Sequence, residues 1–77
     1  MKKPHPTLFK LGQKIQKLRK AQGFSQESFA AEVELDRTYI GGVERGERNI
    51  SALNLVQVAK ALKVEVGELF PPLKSLK

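Results

Sequence analysis

The 77 residues contain no cysteine, which excludes disulfides and thiolate-held metals and fits a reducing compartment. Histidine is almost as scarce: the single one, His5, lies near the N-terminus without partners for a metal ion. No apolar run approaches the roughly 20 residues needed to cross a bilayer. The opening MKKPHPTLFKLGQK carries lysines but no continuous apolar stretch, so it does not read as a secretory signal. There is no glycine-rich phosphate loop, no nucleophile paired with a base, and no cluster of metal-ligand residues. These absences point away from an enzyme and from a metal or other cofactor. They also leave no separate domain for a small-molecule ligand. The expectation is one small cytoplasmic domain, whose core is marginal alone and must pack efficiently or be helped by oligomerisation.

Acid is missing from the first 22 residues, which hold seven Lys or Arg: Lys2, Lys3, Lys10, Lys14, Lys17, Arg19 and Lys20. The chain's net charge is +6. A second basic group, Arg37, Arg45 and Arg48, is partly offset by Asp36, Glu44 and Glu47. Basic surface favours a polyanion, because phosphate contacts release condensed counterions. Charge alone also serves solubility, so the motifs must decide.

No segment alternates with period two and nothing repeats, so the elements are helices. Met1–Pro6, with two prolines, reads as a disordered arm. Thr7 is a plausible cap for a first helix reaching Ala21 or Gln22, with Leu8, Leu11, Ile15 and Leu18 at helical spacing. Gly23 supplies the left-handed residue that closes it. Ser25 caps a second helix with Phe29, Ala30 and Val33 inward and Phe24 stapling the entry, although the usual third-position Glu of a capping box is absent. Glu34-Leu35 makes a turn, and Asp36 caps a third helix with Ile40 and Val43 inward, ended by Gly46. Ser51 caps a fourth with Leu55, Val58, Ala59 and Leu62 inward. A short fifth helix over about Val66–Phe70 is stopped by Pro71-Pro72. The domain spans residues 7–72, between the arm of residues 1–6 and a tail of residues 73–77.

The second helix ends near Val33 and the third begins near Arg37, the turn length of a helix-turn-helix. Ile40 and Val43 take the third helix's inner face, leaving Arg37, Thr38 and Tyr39 in its first turn. That turn of a recognition helix enters the major groove, where Arg and Thr can read base edges. Tyr39 has a second possible role, packing its ring on the domain surface. Gly41-Gly42 is costly in a helix, at about 1 kcal/mol per glycine against alanine. Two accounts stay open: close packing of the third helix on the second, or close approach to bases.

Leu18-Arg19-Lys20, Gly23-Phe24-Ser25-Gln26-Glu27, Phe29-Ala30, Arg37-Thr38-Tyr39-Ile40, Glu44-Arg45-Gly46, Arg48-Asn49 and the run from Leu55 to Leu62 followed by Val64 together resemble the lambda-repressor and Cro-type helix-turn-helix family. The resemblance covers about Leu8–Phe70. The string from Asp36 to Ile50 further resembles controller proteins of restriction–modification systems. It implies an all-α, five-helix lambda-repressor-like fold and a regulator that binds double-stranded DNA. Base reading would fall to Arg37, Thr38 and Tyr39. Phosphate contacts would fall to Ser25, Gln26, Arg45, Arg48 and Asn49. Arg19 and Glu44 match a structural ion pair bridging the first and third helices. Two departures from the family pattern stand out. Glu34 occupies a turn position where many members carry Gly or Asn, and Gly42 one that often carries a base-reading side chain.

The expected function is transcriptional regulation by a homodimer on an inverted repeat, with Leu53, Val66, Leu69 and Phe70 as candidate dimer residues and core packing the favoured alternative for Leu69. The competing use of the same fold is as an antitoxin-like protein-interaction module.

Overall fold

The computed structural model describes residues 4–76. Four α-helices run in order: α1 Pro6–Ala21, α2 Gln26–Val33, α3 Arg37–Glu44 and α4 Ala52–Leu62. A 3-10 helix over Val66–Leu69 is the fifth helical element, tighter and shorter than the helix expected there, and a single 3-10 turn follows at Leu73–Ser75. No strand occurs among the described residues.

The start of α1 differs from expectation. His5, not Thr7, is the N-cap, its Nδ1 accepting the Thr7 N–H at 3.1 Å, while Pro6 takes the first helical position. Proline suits that place because its missing N–H would have no intrahelical partner anyway. The His5 N–H donates to the Gly46 carbonyl at 3.0 Å, tying the entry of α1 to the segment after α3. The arm expected over residues 1–6 therefore gives way to ordered structure by His5; residues 1–3 lie outside those described. In the C-terminal tail, Lys10 Nζ donates to the Ser75 carbonyl at 2.7 Å.

The helices converge on one core: Leu11 and Ile15 from α1, Phe29, Ala30 and Val33 from α2, Ile40 and Val43 from α3, and Leu55, Val58, Ala59 and Leu62 from α4. Ile50 and Leu69 complete it. Phe29, Val58, Leu62 and Leu69 are fully buried. Leu69 was a candidate dimer residue; its burial removes it, since exposing it would open the core.

α1 crosses α3 at Gly12, which is buried. A Cβ there would stand 2.2 Å from the Val43 carbonyl oxygen and 2.7 Å from that of Glu44. Only a residue without a side chain permits this approach, and it brings Arg19 onto Glu44.

Candidate nucleic-acid interface

Local chemistry sets the helix pair. Ser25 Oγ accepts the Ser28 N–H at 2.9 Å and Ser28 Oγ accepts the Ser25 N–H at 2.9 Å, so serine completes the capping box in place of glutamate. Phe24 meets Phe29 edge-on, with ring centroids 5.3 Å apart, fixing the entry of α2. Glu34 then adopts φ 57° and ψ 42°, the left-handed conformation that a non-glycine residue enters at a cost of about 1–2 kcal/mol. This reversal lets the Leu35 N–H reach the Ala30 carbonyl at 2.9 Å and ends α2 sharply. Asp36 caps α3 by accepting the Thr38 N–H at 2.7 Å. Arg37 and Thr38 consequently stand exposed in the first turn of α3.

At the other end of α3, Glu44 is the centre of a buried polar cluster. Arg19 Nε donates to Glu44 Oε2 at 2.6 Å and Nη2 to Oε1 at 3.1 Å, with side chains only 5% and 1% exposed. The remaining Arg19 nitrogen, Nη1, donates to the Phe24 carbonyl at 2.7 Å. Glu44 Oε1 also accepts from Gln26 Nε2 at 2.9 Å and Gln16 Nε2 at 3.4 Å. No side-chain polar atom in the described structure is left buried without a partner. Gln26, at the first turn of α2, is thus held by the same carboxylate that holds Arg19. Its second amide hydrogen stays available to a ligand.

Gln26, Arg37, Thr38, Gly41 and Arg45 line a cleft of about 180 Å³ between the two helix N-termini. Arg45 also pairs with Glu47, Nε to Oε1, at 3.1 Å, on the surface. Such an exposed pair is worth little and separates readily. Arg48 and Asn49 are exposed just beyond α3, and Ser25 is exposed at the start of α2. Tyr39 stands apart from Arg37 and Thr38. It is half-buried against the core, its hydroxyl accepts from Asn54 Nδ2 at 3.2 Å, and the Arg48 guanidinium lies over its ring.

Of the residues expected at the interface, the structure brings together Gln26, Arg37, Thr38 and Arg45 around the cleft. Arg48 and Tyr39 pair beside it. Leu53 and Phe70 are exposed, whereas Val66 is partly buried against the core. Sequence reasoning missed Gln16, Gly12 and Asn54. Gly12 had a signal: a lone glycine inside an otherwise regular helix marks a close approach. The two amides had none, because their partners lie far away in the chain.

A short left-handed turn, an exposed capped helix and a rim of arginines define the class of helix-turn-helix proteins. The chain belongs to the helix-turn-helix family, which matches it over residues 15–69. It is 47% identical over 62 residues to Control protein C.MunI of Mycoplasma sp, covering 79% of this chain and 84% of that protein. Among solved structures it is similar to the restriction-modification controller protein C.AhdI from Aeromonas hydrophila. The TM-score is 0.83 and the identity 50%, over 86% of this chain and all of that one. The regulator SinR, solved in complex with DNA, shares 32% identity at a TM-score of 0.74, over 77% of this chain and 95% of that one.

Proposed function

We propose that the chain is a sequence-specific, double-stranded DNA-binding regulator of transcription, acting as a homodimer on an inverted repeat and controlling a restriction–modification operon. One observation carries the reading. The capped first turn of α3 presents Arg37 and Thr38 to solvent, flanked by Gln26 and Arg45 on one cleft. Similarity to control proteins, and to a regulator solved on DNA, supports both the docking mode and the operon.

In this reading Arg37 and Thr38 enter the major groove and read base edges. Tyr39 contributes through its hydroxyl hydrogen, which its bond to Asn54 leaves free to donate. Ser25, Gln26, Arg45, Arg48 and Asn49 grip phosphates on either side and set the register. The N-terminus of α2 adds its positive dipole end to the Gln26 contact. Two copies related by a two-fold axis place their α3 helices about 34 Å apart, one turn of DNA. Leu53 and Phe70, exposed at 73% and 43%, offer apolar surface to that contact, and Val66 is partly buried. Regulation then follows protein concentration, through dimerisation and occupancy.

Selection of bound sequences from randomised duplexes tests the reading. An inverted repeat is expected. Arg37→Ala relaxes preference at one or two positions, while Arg48→Ala weakens all sequences about equally and reduces the salt slope by about one. Equal behaviour of the two variants would refute the division of labour. A steep salt dependence with no enriched sequence would instead favour the protein-interaction module. Sedimentation at micromolar concentration should show a dimer; a monomer that binds DNA as a monomer would remove the two-fold part of the proposal.

A further inference from the structure

Two adjacent glycines inside a helix are unfavourable against alanine, and in α3 each lies under an arginine. A Cβ on Gly42 would stand 2.8 Å from Arg48 Cγ and 3.8 Å from its Cβ and Cδ. A Cβ on Gly41 would stand 3.0 Å from Arg45 Nη1 and 3.6 Å from Gln26 Oε1. The two contacts differ in kind. Arg45 meets Gly41 with the far end of a flexible side chain, which turns aside easily. Arg48 crosses Gly42 with the middle of its stem, and relief there requires a different path for the whole side chain.

With glycine at 42, the present path leads the Arg48 guanidinium over the Tyr39 ring, its carbon 5.4 Å from the centroid, within reach of a cation–π attraction. The ring is itself anchored, packed against the core and bonded through its hydroxyl to Asn54 on α4. Gly42 opens the route, Tyr39 is the platform, and Asn54 fixes the platform. An exposed arginine loses much rotamer freedom on binding a phosphate. A side chain already confined to one path loses less.

We propose that Gly42, Tyr39 and Asn54 are positioning residues that hold Arg48 in its DNA-contacting conformation, so that Gly42 governs affinity through a side chain for which it makes room. The inference rests on the DNA-binding reading above. It also gives the glycine pair unequal roles, because only the Gly42 berth is closed by a single methyl group.

The test measures binding of wild type, Gly42→Ala, Arg48→Ala, Arg48→Lys and the Gly42→Ala/Arg48→Ala double variant. The probe is the duplex selected by the wild type, at several salt concentrations, with thermal midpoints taken in parallel. Gly42→Ala and Arg48→Ala are each expected to bind about tenfold more weakly and to lower the salt slope by about one. The double variant should match Arg48→Ala. The Gly42→Ala midpoint should not fall, since alanine favours the helix. Arg48→Lys keeps the charge but loses the planar group that stacks, and should bind several-fold more weakly. Wild-type binding by Gly42→Ala overturns the proposal. So does a further loss when Gly42→Ala is added to Arg48→Ala, which would mean that the methyl group obstructs DNA directly. If Gly42→Ala unfolds, Arg48→Lys decides, and wild-type affinity in that variant overturns the platform. Failure of the DNA-binding reading is visible separately: the wild type then enriches no duplex at all, and the proposal falls with it.

Discussion

Replacing Glu44 by leucine should strongly destabilise this domain, and the structure gives the size of the effect. Glu44 is 1% exposed and accepts from Arg19 Nε and Nη2, from Gln26 and from Gln16. Without it, the buried Arg19 guanidinium keeps only the Phe24 carbonyl. Removing one member of a buried pair costs about 3–5 kcal/mol, because the other charge stays desolvated and uncompensated. A chain of this length has a total stability of about 4–12 kcal/mol. A loss at the low end of that cost lowers the thermal midpoint by at least about 12 °C, at 4–8 °C per kcal/mol for a domain of this size. Urea titration followed by helical circular dichroism measures it, and an unchanged m-value shows that folding remains two-state. Arg19→Met/Glu44→Leu should recover most of the loss, since both charges are gone and apolar groups fill the space. DNA affinity should not recover with it, because Gln26 has lost the carboxylate that holds it. A Glu44→Leu cost below about 1 kcal/mol would refute the reasoning, since a pair worth that little behaves as a solvated one. A double variant as unstable as the single one would show that packing, not the stranded charge, sets the cost.

Two further perturbations address the backbone. Gly12→Ala forces a methyl group to 2.2 Å from the Val43 carbonyl oxygen, and backbone cannot step aside as a side chain can. It should destabilise by about 1–3 kcal/mol or more, as overpacking does, and a urea midpoint at or above wild type would contradict the close crossing of α1 and α3. Glu34→Gly should raise stability by about 0.5–1 kcal/mol, the left-handed strain relieved less the entropy glycine loses on folding. A lower midpoint would show that the Glu34 side chain contributes more than its conformation costs.

The glycine pair shows how far local reading reached. Its two candidate explanations, helix packing and approach to bases, came from what glycine generally permits. The structure adds a third, room for Arg45 and Arg48, which depends on where the chain turns after α3. Gln26 is similar: the family resemblance implies a phosphate contact for it, yet its bond to Glu44 crosses 18 residues. His5 falls in the expected arm; it is exposed, yet it caps α1 and its N–H holds the Gly46 carbonyl. Leu69, apolar near the end of the chain, suits a partner surface or the core by sequence, and it lies in the core.

Helical spacing of apolar residues, capping side chains and turn residues act over a few positions. The sequence alone therefore determined the helix order, the turn at Glu34-Leu35, and the exposure of Arg37 and Thr38 at the start of α3. Burial is a collective property of several helices and needs the tertiary structure. So does the approach permitted by Gly12, the carboxylate shared by Arg19, Gln16 and Gln26, and the path of Arg48 across Gly42 onto Tyr39. Each of these depends on how α1, α2 and α3 pack together, or on where the chain turns after α3. No pattern within one segment encodes such a distance, and those distances decide which side chains at the interface are held in place.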